Sequence, residues 1–238
     1  MKTTTNVDEF IALSIDKNAL FFWRTLVPTE ANLAYQLHLT ANADTPPGLV
    51  RADNLAHFVA NIQDQGRIQG CFVDDKKMVA YGILGIDHAN NRKIAELLAL
   101  SDADLPNFAS LDGAAALAQW RGKRLHSESI QARLTMAREQ HRRYIGATVS
   151  PDNINSLRGL LEAGFYIKNF AFLYGGLARL VMLLDLDAPQ LSWTLTDAVA
   201  TSELTGHQTA IAKGMHGFSL IETSRGACQV LYGVQHIS

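Results

Sequence analysis

Ala114-Ala115-Ala116-Leu117-Ala118-Gln119-Trp120-Arg121-Gly122-Lys123-Arg124-Leu125-His126 is the stretch on which the fold turns. It reads as a strand that passes through a basic, glycine-containing turn into a helix, since Ile130, Leu134 and Ala137 then recur at i, i+4 and i+7. The start of a helix presents amide N–H groups with no partner inside the helix, and the aligned peptide dipoles add partial positive charge there. Such a turn suits a phosphate. Gly122 has no Cβ to hold a ligand off, and Arg121, Lys123 and Arg124 add full charges. Taken alone, the turn reads equally well as a strand–helix junction that is basic by chance.

A second segment follows the helix. Tyr144 to Val149 is β-branched and aromatic enough for a strand, and Pro151 ends it. Asp152 or Asn153 caps the next helix, Leu157, Leu160 and Leu161 form its apolar face, and Gly164 suits its C-terminal stop. In this order and spacing the two segments resemble the GNAT family, the acyl-CoA-dependent N-acyltransferases. The family's phosphate turn reads Gln/Arg-x-x-Gly-x-Gly/Ala; Gln119 and Gly122 match it, and Arg124 stands where a small residue is the rule. The family's second signature is a strand, Asn-x-x-Ala/Ser and a short helix ending in Gly-Phe. It is met at Asn153, Ser156, Gly164 and Phe165. The resemblance spans residues 68–186.

The resemblance implies an α/β (α+β) fold of GNAT type, a mixed and mostly antiparallel central sheet flanked by helices. Residues 1–188 would form that domain, and 189–238 a C-terminal strand–helix–hairpin extension packed on it. It also implies acetyl-CoA as cofactor. Backbone amides of Arg121, Gly122, Lys123, Arg124 and Leu125, in the turn that Gln119 opens, would hold the pyrophosphate. Ala116 and Leu117 would bond the pantetheine arm through their main chain, and Asn153 and Ser156 would touch the cofactor. Asn153 is read equally well as a plain helix cap.

Elsewhere the chain reads as follows. Ala19 to Val27 is a strand stopped by Pro28, and Thr29-Glu30 opens a helix to about Leu39. Asn54 to Ile62 is a second helix, with His57 read as a surface or half-buried position. Ile68–Val73 and Met78–Ile86 are strands around a polar hairpin turn. Lys93–Leu100 is a helix, and Ala109–Leu117 the strand into the phosphate turn, its small residues leaving room alongside. Phe165–Leu173 and Leu177–Leu186 pair around Gly175-Gly176. In the extension, Trp193–Leu195 is a strand, Ala198–Ala212 a helix, and Phe218–Ile221 with Cys228–Val234 a hairpin. Residues 7–17 are a short amphipathic or capping segment. No internal repeat is visible.

Composition sets the bounds. With 47% hydrophobic and 18% charged residues, the 238-residue chain buries a core rather than staying disordered. A net charge of −2 gives no reason to expect nucleic acid. Cys71 and Cys228 sit in apolar strand contexts and read as free thiols, though the two could pair, and no zinc spacing exists. No apolar run reaches the roughly 18 residues of a membrane span, and the polar N-terminus lacks a secretory pattern; cytoplasm is the default expectation. Dimerisation is common in the fold, but nothing here demands it.

Acyl transfer to an amine needs a held thioester, a polarised carbonyl and a deprotonated amine. Asp112, on the strand before the turn, is the candidate base, with Glu96 and Asp87 behind it; it reads also as a surface carboxylate. Many family members carry a proton-donating tyrosine four residues before the Gly of Gly-Phe, a position occupied here by Leu160. The donor then passes to Tyr166 or Tyr174, or to solvent, and Tyr166 suits the core as well. The expected activity is acetyl transfer to a primary amine of a small molecule or peptide. A non-catalytic acyl-CoA-binding or regulatory module is the alternative. The acceptor itself carries no readable motif.

Overall fold

In the computed structural model, residues 20–63, 66–74, 77–86, 89–188 and 191–236 are described. Residues 7–17 and Asp87 lie outside them. Ten strands form one sheet: β1 (Phe21–Thr25), β2 (Gly66–Val73), β3 (Lys77–Gly85), β4 (Phe108–Ala116), β5 (Tyr144–Val149), β6 (Tyr166–Leu173), β7 (Leu177–Asp185), β8 (Ser192–Ala200), β9 (His216–Glu222) and β10 (Cys228–His236). Their spatial order is β1-β2-β3-β4-β5-β7-β6-β9-β10-β8. Six α-helices among the described residues accompany them: α1 (Ala31–Asn42), α2 (Leu55–Gln63), α3 (Ala89–Leu97), α4 (Leu125–Glu139), α5 (Ile154–Glu162) and α6 (Leu204–Ala212). This is a mixed, mostly antiparallel sheet flanked by helices, as expected.

The helical stripes decide what is buried. Ile130, Leu134 and Ala137 of α4 and Leu157, Leu160 and Leu161 of α5 pack on Leu111, Ile145, Ala147 and Met182 of the sheet. A second core joins Ala34 and Leu37 of α1 and Phe58 and Ile62 of α2 to β2 and β3. A third sets Ile94 and Ala95 of α3 against Phe108, Tyr166 and Val181. Cys71 is buried on β2 and Cys228 begins β10; both are free thiols.

One pairing among the described strands is parallel, and it positions the site. β4 and β5 run together from Phe108↔Tyr144 to Leu111↔Ala147 and then part. On the other side of β4, the ladder to β3 jumps from Leu84↔Leu111 to Gly82↔Ala114. Two residues, Asp112 and Gly113, therefore face the single Ile83, which is a β-bulge, a device that bends a strand and re-aims its side chains. Fork and bulge coincide at Asp112.

The extension contains a repeat that the sequence conceals. β8–α6–β9–β10 follows β5–α5–β6–β7 at a shift of 50 residues, and α6 (204–212) is α5 (154–162) displaced by that number. The helix stops match bond for bond: Phe165 N donates to Leu160 O (3.1 Å) as Met215 N does to Ala210 O (3.2 Å), and Gly164 N to Leu161 O (3.0 Å) as Gly214 N to Ile211 O (2.9 Å). Gly164 (φ 94°) and Gly214 (φ 78°) both hold the left-handed conformation that suits glycine there. The strand order β5-β7-β6-β9-β10-β8 reads the same from both ends once equivalents are exchanged. Its centre is the pair Ile167↔Gly217, again 50 residues apart. The reading of 198–212 as all helix is corrected: β8 continues to Ala200, paired with Gln229.

Candidate functional site

Gly122 sits at φ 77° between a short 3-10 turn (Ala118–Trp120) and α4, and Arg124, at φ 62°, is the helix N-cap. The Arg121 amide donates to Ala118 O, and the first helical bond runs from Glu128 N to Arg124 O. Among the described residues, the amides of 122–127 in between find no main-chain acceptor, as the first turn of a helix requires. A Cβ at Gly122 would meet nothing within 4 Å. The Arg121 guanidinium donates to Ala41 O (2.8 Å) and ties the turn to the end of α1. Lys123 and Arg124 are exposed.

A cleft of about 620 Å³ opens beside this turn, lined by residues 42–50 in part, by Ala114, Ala115 and Ala116, by Gly122, Arg124, Leu125 and His126, and by Asn153 and Ser156. The amide of Leu117 donates to Val79 O (2.9 Å), so it is spent on β3. Alternation along an antiparallel ladder then turns the main chain of Ala114 and Ala116 toward the open side of the fork. Of the two residues read as tether partners, Ala116 is thus available and the Leu117 amide is not. Gln119 is exposed and outside the cleft lining. Asn153 is the cap of α5, its Oδ1 accepting from Ser156 N (3.3 Å), and it also lines the cleft.

The cleft runs on into a smaller cavity of about 110 Å³ with which it shares Leu49, Val50, Ala114, His126, Asn153 and Ser156. The floor of this inner cavity is charged. Arg51 Nε lies 2.6 Å from Asp53 Oδ1, and its Nη2 3.7 Å from Asp112 Oδ1. His57 Nε2 accepts from Arg51 Nη2 (3.0 Å) and stands 4.0 Å from Asp112 Oδ2. Burial opposes the charge on Arg51, but the two carboxylates outweigh it and raise its pKa. Arg133 of α4 lies wholly under the sheet, its guanidinium donating to Ser129 O, Ile83 O and Asp112 O. Burial pushes it down to about 10, so it stays charged. Gly82 makes room for it, since a Cβ there would come within 2.8 Å of Arg133 Nε. His126 is pushed down to about 4, by burial first and by Arg133 second, and is neutral at pH 7.

Leu160 lines this cavity, and Tyr174 enters it from the β6–β7 turn. Its hydroxyl is 3.1 Å from Thr148 Oγ1. Burial raises its pKa despite that hydrogen bond, which keeps the hydroxyl protonated. Tyr166 is elsewhere. It lines a separate cavity of about 330 Å³ with Trp193 and Phe218, its ring 5.5 Å from Trp193 and 5.3 Å from His216. The structure brings Asp112 to the fork and leaves Tyr166 outside the cleft, because Tyr166 points to the α3 side of the sheet. Glu96 lines neither cavity of the cleft. Sequence reading missed Arg51, Asp53, Arg133 and Arg179, and set His57 aside. A signal existed for Arg133: it falls on the apolar stripe of α4, between Ile130 and Leu134.

No protein-family model matches the sequence, and no curated protein matches it. Solved structures do. The Salmonella typhimurium protein yncA, solved with its cofactor acetyl-CoA, is 12% identical with a TM-score of 0.54, covering 70% of this chain and 94% of that one. The ribosomal-protein-S18-alanine N-acetyltransferase of Escherichia coli is 14% identical, TM-score 0.51, over 72% of this chain and 97% of that one. A GNAT-family acetyltransferase of Streptococcus pneumoniae is 13% identical, TM-score 0.53, over 70% and 99%. The fold is that of the GNAT acetyltransferases. No helix among the described residues is long and apolar enough to cross a membrane.

Proposed function

We propose that the protein is an acyl-CoA-dependent N-acyltransferase that transfers an acetyl group to a primary amine. The observation that carries this reading is the coincidence of the fork, the bulge at Asp112 and the unpaired amides of residues 122–127 along one continuous cleft. The residues fit the cofactor: orphan amides and exposed Lys123 and Arg124 suit a diphosphate, and the small side chains of Ala114, Ala115 and Ala116 leave a groove for its tether. Bound there, an acyl-CoA supplies a thioester, an acyl group activated toward amines.

The chain's own residues do the rest. Asp112 takes the ammonium proton onto its carboxylate, with Arg51 and His57 fixing its orientation. The Tyr174 hydroxyl, held protonated and aimed by Thr148, donates to the leaving sulfur in place of the tyrosine that Leu160 replaces. The neighbours' names support acetyl as the group moved.

Calorimetric titration with CoA and thiol release over an amine panel test this together. Gly122→Val places a branched side chain in the phosphate path; with no clash from its Cβ, the fold is expected to survive the backbone strain of about 1–2 kcal/mol while CoA binding is lost. Asp112→Asn is expected to keep CoA affinity and lower kcat by about 10²–10⁴. CoA binding with no thiol release on any amine would leave the non-catalytic module as the reading, and unchanged CoA affinity in Gly122→Val would remove the site.

A further inference from the structure

The charges around the inner cavity do not balance. Its lining holds three guanidinium groups, Arg51, Arg133 and Arg179, against two carboxylates, Asp53 and Asp112. Arg51 engages both carboxylates. Arg133 lies beside Asp112 and donates to three carbonyls. That leaves Arg179 of β7, which is 3% exposed. Its Nη1 donates to Ala178 O (2.8 Å) and its Nη2 to Gly48 O (3.0 Å). No carboxylate of a described residue lies within ion-pair distance of it. A guanidinium carries five N–H donors, so most of its capacity is open.

A buried cation without a counter-charge is expensive, and proteins normally pair it. Burial and, behind it, the nearby Arg51 both weaken the hold of Arg179 on its proton, against the opposing pull of Tyr174. Tyr174 stands between the two: its ring centre is 5.0 Å from the Arg51 guanidinium carbon and 6.0 Å from that of Arg179. It is held there in a left-handed backbone conformation, φ 51°, which a tyrosine rarely adopts. The same cavity therefore offers the carboxylate of Asp112 and an unneutralised guanidinium.

Resting on the acyltransferase reading above, we propose that the acceptor is a small amino acid: its amine is received at Asp112 and its carboxylate by Arg179. The carboxylate supplies the missing counter-charge, and the small cavity, about 110 Å³, favours a free amino acid over a folded protein surface. Tyr174 lines the same cavity, its ring centre 6.0 Å from the Arg179 guanidinium carbon.

The test is calorimetry on the full chain, with and without CoA, using amino acids and two control series: the same molecules as amides, and the corresponding decarboxylated amines. Free amino acids are expected to bind and both control series to bind at least tenfold more weakly. Arg179→Met is expected to weaken amino-acid binding at least tenfold without changing CoA affinity, and Arg179→Lys to restore part of it; thermal melts of both variants confirm that they fold. The proposal is overturned if the amides or amines bind as tightly as the acids, if no amino acid binds, or if Arg179→Met has no effect. It is overturned also if the protein selects an acyl-CoA whose acyl chain ends in a carboxylate, since the anion would then belong to the donor. CoA affinity, read in the same titrations, reports separately on the acyltransferase reading.

Discussion

Arg124 carries the sharpest tension at the level of single residues. The turn into α4 needs a left-handed residue at its N-cap, and the chain supplies an arginine there at φ 62°. That conformation costs a residue with a Cβ about 1–2 kcal/mol, whereas glycine adopts it freely but loses about 0.5–1 kcal/mol more backbone entropy on folding. Arg124→Gly is therefore expected to stabilise the protein by about 0.5–1 kcal/mol, a rise of about 1–4 °C in Tm for a chain of this size. A lower Tm in that variant would mean that the arginine side chain makes a contact worth more than the strain. The tension also explains what was legible. Gly122 and Asn153 could be read because their roles are local: one turn, one cap. Arg51, Asp53 and Arg179 could not, since Arg179 meets Gly48 across 131 positions of sequence and nothing near either announces the other. Tyr166 was misplaced for a different reason. Phe165–Leu173 carries apolar residues in both alternating sets of positions, with Tyr166, Phe170 and Phe172 in one and Phe165, Ile167, Ala171 and Leu173 in the other, so alternation does not say which face meets the cleft.

Whole elements were easier to read than the faces they present. The 3.6-residue stripes of α4 and α5 and the β-branched runs of β5 and β7 survive in the structure within a residue or two, because each element buries one coherent apolar surface. The bulge at Asp112 and Gly113 was not legible: a register jump depends on the partner strand, not on the bulged one. The helices also share a liability. Buried His38 on α1, half-buried His126 on α4 and buried His207 on α6 all have pKa values lowered by burial, that of His126 to about 4. The unfolded chain takes up protons near the ordinary imidazole value of about 6.5, while the folded chain resists until lower pH. Between those values the unfolded state binds more protons, so stability falls as pH falls. The gap at His126 alone corresponds to a loss on the order of 3 kcal/mol by pH 4. Urea denaturation at pH 7.5 and at pH 5, above the range where ordinary carboxylates titrate, is expected to show a lower midpoint at pH 5. His126→Gln is expected to flatten the difference, and a pH-independent midpoint in the parent protein would count against neutral buried imidazoles.

For the molecule as a whole, the repeat matters most. A GNAT unit ending at β7 would leave β6 as an edge strand, with unpaired N–H and C=O groups open to another chain. Here the extension lays β9 against it, with α5 packing on β9 and α6 on β6 in near two-fold fashion. The second unit keeps the scaffold but not these cavity-lining residues: Glu203 stands for Asn153, Gly206 for Ser156 and Ala198 for Thr148. Over residues 154–167, only Gly164 recurs unchanged at the 50-residue shift, as Gly214, which is why no repeat could be read from the sequence. The extension thus stands where a second protomer would be needed to cover β6, and the join depends on the absence of a side chain at its centre. A Cβ at Gly217 would lie 2.7 Å from Ile167 Cδ1 and 2.8 Å from Val230 Cγ1, both in the buried core. Gly217→Val is expected to cost about 1–3 kcal/mol through overpacking. It is also expected to speed amide exchange along β6 and make the protein self-associate with rising concentration, as the freed edge seeks another strand. Sedimentation of the parent protein as a single 26.1 kDa species at concentrations where the variant associates would fit that account. A variant as protected at β6 and as monomeric as the parent would mean that the two halves are held together elsewhere, with the β6–β9 crossing incidental to it.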